Sequence, residues 1–138
     1  MNKPSIIFAA YENIQISNRI QKCLNACISI GKTTFVSINK PLDKMNCNVC
    51  ITWRRNYILF LLLFFLKLIN IKPDIVVLHD NYCAVLIPLI KAFLPNTFIV
   101  YDSSELYLEY QKRGIKYKIA KLMIYFEIKY LKDVNLIF

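Results

Sequence analysis

The residues best suited to chemistry in this sequence fall in two short groups. His79, Asp80 and Asn81 follow one apolar run, Ile75–Leu78. Asp102, Ser103, Ser104 and Glu105 follow another, Thr97–Tyr101. An imidazole exchanges a proton near neutral pH, and carboxylates, amides and hydroxyls hydrogen-bond sugar hydroxyls or orient a phosphate. Each group follows a short, β-branched, non-alternating run, and the segment between the runs has helical length. That pattern predicts two parallel strands buried on both faces and joined by a crossover helix. In open parallel sheets, ligands bind outside the carboxyl ends of the strands, where both groups fall. Asp80, Asp102 and Ser103 equally suit capping of helices and loop backbone.

Other candidates carry less. Arg19, near the expected start of the first helix, could meet a phosphate in a cleft or pair with Glu12 on the surface. His79 is the only histidine, so no second one exists to make a metal pair, and no metal site is expected. Cys47 and Cys50 have redox or zinc spacing, but no second pair accompanies them. If that segment is extended, residues three apart point to opposite faces, and buried thiols are expected.

The elements that must position these groups alternate along the chain. Ser5–Ala10 reads as a first strand. A helix over Ile16–Ile30 follows, with Ile16, Ile20, Cys23, Leu24, Cys27 and Ile28 on one face, Ser17 or Asn18 as its cap, and Gly31 as a left-handed terminator. Thr33–Ile38 and Asn48–Thr52 are predicted strands flanking the loop Asn39–Asn46. Asn56–Ile71 is a very apolar helix, ended by Lys72-Pro73-Asp74. Pro88 predicts a kink or a helix start after the second candidate strand. Ser104–Tyr110 suits a short helix, Ile115–Lys132 a longer one, and Val134–Phe138 a sixth strand. This alternation predicts one α/β domain over residues 1–138: a doubly wound, mostly parallel, Rossmann-like sheet with right-handed crossovers.

Composition narrows the partners. A 57% apolar content is ample for a core, while only two glycines argue against a Gly-rich phosphate cradle. Eighteen basic against nine acidic residues give a net charge of +9, which favours an anionic partner. The run containing Lys112, Arg113, Lys116, Lys118 and Lys121 is interleaved with apolar and aromatic residues, which suits an anionic membrane surface and equally a merely solvated helix face. Nucleic acid is not expected, because no recognised motif supports it. Tyr57–Ile71 is about 15 residues with Lys67 inside, short of the ~20 a spanning helix needs. Burial against the sheet is the expectation there, with a place on the bilayer as the alternative. An odd cysteine count and the brevity of the first apolar run fit a reducing cytoplasm rather than secretion.

The order of these pieces resembles the N-terminal domain of the family-4 retaining glycosyltransferases of GT-B architecture. That family shows "kPDvvhaHD", a crossover helix, then "vvyDsHELy". The matches here are Lys72, Pro73, Asp74, His79 and Asp80, then Tyr101, Asp102, Ser103, Glu105, Leu106 and Tyr107. Asn18-Arg19-Ile20, Leu24, Gly31 and Val36 are similar to the family's "DpRv…L…G..V.v", and Lys132-Asp133-Val134-Asn135-Leu136-Ile137-Phe138 to its "k.aDlvi". The resemblance implies the acceptor-side half of a polysaccharide-biosynthesis transferase. His79, Asp80, Asn81, Asp102, Ser103, Ser104 and Glu105 would then be acceptor-binding, and Arg19 and Glu12 phosphate or cleft residues. The donor would be a nucleotide diphosphate sugar and the acceptor a saccharide or lipid-linked saccharide, at the cytoplasmic side of the membrane. No other cofactor is implied.

The sequence also departs from the family. Its motif histidine is Ser104 here, the loop after the first strand is Ala9-Ala10-Tyr11-Glu12 rather than glycine-rich, and the "DpR" carboxylate is Asn18. The donor-binding C-terminal domain is expected to lie outside this chain, as a missing portion or a separate subunit. The chain alone would then be inactive. A non-catalytic α/β binding module is the other reading, although a receiver-like one would need acidic residues after the first strand.

Overall fold

The computed structural model describes residues 3–11, 17–39, 46–52, 56–103 and 115–137; the side chains of Asn81, of residues 115–120 and of Met123 lie outside the description. Six strands form one sheet: β1 (Ser5–Ala10), β2 (Lys32–Ser37), β3 (Asn48–Ile51), β4 (Ile75–His79), β5 (Phe98–Asp102) and β6 (Leu136–Ile137). Their order is β3-β2-β1-β4-β5-β6 and every pairing is parallel. This is a doubly wound, Rossmann-like arrangement, with the order reversing between β1 and β4.

Helices cover both faces because the strands are apolar on both. α1 (Asn18–Ile30) buries Ile20, Leu24 and Cys27 against Ile6, Phe8, Phe35 and Val77. On the other face, α2 (Tyr57–Ile71), α3 (Asn81–Ala84) and α4 (Ile87–Phe93) close over Ile7, Val76, Leu78, Ile99 and Tyr101. Tyr130 of α5 (Ile115–Tyr130) and Leu131 and Val134 after it join that second core.

Several boundaries differ from expectation, each for a local reason. α1 starts at Asn18, because the Ser17 hydroxyl accepts the Ile20 N–H at 3.3 Å and fixes the cap there. Gly31 is extended, not left-handed. A Cβ there would lie 2.3 Å from the Pro4 carbonyl oxygen, so close approach of backbone is what requires glycine. The left-handed cap falls at Lys72 instead, with φ 48°, and its N–H donates to the Leu68 carbonyl. Pro88 enters α4 at its second position, a helix start rather than a kink. The last helix ends at Tyr130 in a single 3₁₀ turn, and the sixth strand starts at Leu136, later than expected, and covers Leu136–Ile137 among the described residues.

The apolar helix is buried against the sheet along one side, and its other side is bare. Phe60, Phe64 and Leu68 are buried, while Ile58, Leu59, Leu62, Leu66 and Ile69 are exposed. Among the described residues no helix is long and apolar enough to cross a membrane. Cys47 packs toward the α1 face and Cys50 toward the α2 face, as alternation requires. Both are half-buried rather than buried, and no disulfide joins any described cysteines. The helix expected over 104–110 lies outside the described residues.

Candidate functional site

Strand register builds the site. β4 and β5 each run one residue further than expected, so His79 and Asp102 are their last residues, and the two are paired across the ladder. In neighbouring parallel strands, paired residues project to the same face. Here that is the face of Phe8 and Val77, over which α1 lies. His79 Nδ1 and Asp102 Oδ2 are 2.7 Å apart, with both residues buried. An ionised carboxylate only accepts, so Nδ1–H is the donor, which fixes the ring's orientation.

α1 supplies two more donors to the same carboxylate. Arg19, in its first turn, hydrogen-bonds Asp102 Oδ1 through Nη2, and the same nitrogen donates to the Ser103 carbonyl at 3.2 Å. One turn further, the Cys23 thiol lies 3.6 Å from Asp102 Oδ2. Burial and then the neighbouring Asp102 raise the Cys23 pKa, so it stays a thiol and a donor. For Asp102 itself, burial pushes the pKa up, but the hydrogen bonds and charges of His79 and Arg19 together outweigh it. The net result lies below the ordinary carboxylate range.

Asp80 stands beside this pair in a backbone conformation that residues other than glycine rarely adopt, φ 65° and ψ 166°. Its N–H donates to the Asp102 carbonyl at 3.0 Å, and its carboxylate Oδ2 lies 3.4 Å from His79 Nε2. It precedes α3 without a side-chain capping bond. The lone histidine is thus flanked by two carboxylates. Ser103 extends the network to the opposite face of the sheet. Its hydroxyl lies 3.5 Å from Glu127 Oε1, which also accepts the Tyr101 hydroxyl at 2.7 Å.

The structure therefore brings Arg19, His79, Asp80, Asp102 and Ser103 together at the carboxyl edge. The side chain of Arg19 is 43% exposed and that of Asp102 only 3%, so Arg19 is the charged member that faces solvent. Chemically, the buried histidine and carboxylates act as a frame that fixes a half-exposed guanidinium, a planar donor suited to phosphate or carboxylate. Among the described residues, no group of three or more His, Cys, Asp or Glu side chains is arranged to hold a metal ion. Arg19 meets Asp102, a pairing the sequence reading did not foresee. Glu12, Ser104, Glu105, Lys112 and Arg113 lie outside the described residues, as do the side chains of Asn81, Lys116 and Lys118. Lys121 is exposed on α5.

Sequence reasoning missed Cys23, which it assigned to the core face; its spacing of four from Arg19 was the available signal. It also missed an aromatic cluster on the other side of the same edge. Tyr11, Tyr57 and Tyr82 come from three separate connections, with ring centroids 5.1–5.9 Å apart, and the Tyr57 hydroxyl donates to the Tyr82 carbonyl at 2.5 Å. Two shallow hollows, about 240 and 300 Å³, lie elsewhere, one beside Lys72–Asp74 and one beside Lys32–Thr33, at the starts of strands. Neither touches the histidine–carboxylate group, and strand starts are not where open parallel sheets bind ligands.

Comparison with protein-family models, with curated proteins and with solved structures finds no significant match to this chain.

Proposed function

We propose that this chain is the acceptor-side domain of a family-4-like retaining glycosyltransferase of GT-B architecture. In this reading it holds a saccharide or lipid-linked saccharide, while a second domain or subunit brings a nucleotide diphosphate sugar. The observation that carries the proposal is the carboxylate-anchored guanidinium of Arg19 beside the ends of β4 and β5. Three further features support it. The strand order reverses between β1 and β4, which creates a crevice at the carboxyl edge. Four residues that match the family's acceptor-side motifs, His79, Asp80, Asp102 and Ser103, surround one network there. Asp80 holds a strained backbone, and such strain clusters at functional sites.

The division of labour follows from burial. His79, Asp80 and Asp102 are buried and act as positioning residues. Arg19 presents donors to an anionic or hydroxyl-bearing group at the cleft. Transfer with retention builds charge on a leaving diphosphate and an oxocarbenium-like centre, and placed cations stabilise such a transition state. Most of those groups belong to the donor half, so the chain alone is inactive in this reading. A cytoplasmic setting goes with it.

The test is a titration followed by amide NMR, with a sugar 1-phosphate and the matching free sugar, on the native chain and on Arg19→Gln. The sugar phosphate is expected to shift resonances at the start of α1 and at residues 79–80 and 102–103. It should bind Arg19→Gln about tenfold or more weakly, the loss of a charge-assisted bond. Shifts confined to other parts of the sheet, or unchanged binding by Arg19→Gln, would overturn the reading.

A further inference from the structure

We propose that the outer face of α2 and α4 is a docking surface for an anionic lipid bilayer, with α2 lying in the plane of the interface. The inference stands on this surface alone and does not rest on the transferase reading.

A helix that packs on a sheet normally turns polar residues outward. α2 does not. Phe60, Phe64 and Leu68 face the core, yet the opposite side carries Ile58, 75% exposed, Leu62, 52% exposed, and Leu59, Leu66 and Ile69. α4 continues the patch with exposed Leu89 and Phe93. The Phe65 and Phe93 rings meet edge to face at 5.5 Å, so the two helices present one joined apolar surface. A continuous patch of this kind marks an interaction site, whereas scattered leucines would not.

Charge chooses the occupant. No Asp or Glu occurs from Asn56 to Pro73, or from Asn81 to Tyr101, so α2 and α4 carry no acidic residue. Their charged residues are Lys67 and Lys91. On the neighbouring α5, Lys121 and Lys129 are exposed beside Leu122, Tyr125 and Ile128. Glu127, the one acidic residue of α5, bonds the buried Tyr101. The charges carried by α2 and α4 are all cationic, and Asp74, at the rim beside Phe93, is held by the Ser5 N–H and hydroxyl. Such an apolar face fits anionic headgroups with acyl chains beneath them. A second copy fits poorly, because each chain carries a net +9 and like-charged surfaces repel. The 15 residues of α2 extend about 22 Å, too short to span but long enough to lie in the interface.

The experiment is flotation of the purified chain with vesicles of phosphatidylcholine alone or mixed with phosphatidylglycerol, at low and high salt, with no sugar or nucleotide present. The native chain is expected to float with the mixed vesicles at low salt and far less with the neutral ones. Leu62→Glu with Leu66→Glu should lower the bound-to-free ratio about tenfold or more. Both positions are exposed, so thermal unfolding of this variant should match the native chain. Lys67→Gln with Lys91→Gln should reduce the preference for the anionic vesicles. The proposal is overturned by failure of the native chain to float with mixed vesicles, or by equal flotation of the leucine variant. A lipid-free native dimer that the leucine variant turns into a monomer would also overturn it, assigning the face to self-association. Because transfer is never read, failure here leaves the sugar-phosphate titration untouched, and the converse holds.

Discussion

His79 and Asp102 end adjacent parallel strands in the same register, and this alone sets imidazole and carboxylate 2.7 Å apart inside the sheet. The pair is buried at the base of the carboxyl edge, with Arg19 as its link to solvent. Removing one partner leaves the other charged or polar group buried without its main partner. Asp102→Ala is therefore expected to destabilise the fold by about 3–5 kcal/mol. In a double-mutant cycle with His79→Ala, measured by urea unfolding, the two losses should sum to clearly more than the double variant shows. Simple additivity would mean that the contact is not coupled.

Acid should act through the same carboxylate. The Asp102 carboxyl has a folded pKa below its ordinary value, so between the two values the unfolded chain binds more protons. The resulting stability is present above the unfolded value of about 4 and is lost as pH falls through the folded one. The urea midpoint of the native chain should therefore fall more steeply below about pH 4 than that of Asp102→Asn. Parallel curves would show that the carboxylate is not held in its charged form.

The two sides of α2 should respond differently to truncation. Phe64 is buried against the sheet, and Phe64→Ala should cost about 3–5 kcal/mol. Leu62, on the opposite side, is half-exposed, and Leu62→Ala should stay within about 0.5 kcal/mol. Thermal or urea unfolding in the absence of lipid measures both. Similar losses at the two positions would mean that the outer side is packed in solution.

Gly31 offers a test of backbone packing at the other end of the sheet. Gly31→Ala would bring a Cβ to 2.3 Å from the Pro4 carbonyl oxygen, an atom fixed by its bond to the Lys32 N–H. The expected loss is about 1–3 kcal/mol or somewhat more, the range for overpacking. An alanine variant as stable as the native chain would show that the strand start can shift to make room.

Much of the fold was written locally. Short β-branched runs separated by amphipathic stretches marked every described element of the sheet, and Ser17, Pro88 and the Lys72-Pro73 pair marked helix ends through their own backbone chemistry. Parallel burial of β4 and β5 followed from their lack of alternation. The sequence also singled out His79, Asp80, Asp102, Ser103 and Arg19 as separate candidates. It placed the first four at the carboxyl ends of neighbouring strands but could not pair Arg19 or Cys23 with Asp102, because the lean of α1 over the sheet is set by packing between segments about 80 residues apart. The same limit explains Gly31, whose partner is the carbonyl of Pro4, and the α2 surface. All-round hydrophobicity was legible in the sequence; which side met the sheet and which stayed bare was decided only when Phe60, Phe64 and Leu68 found the core.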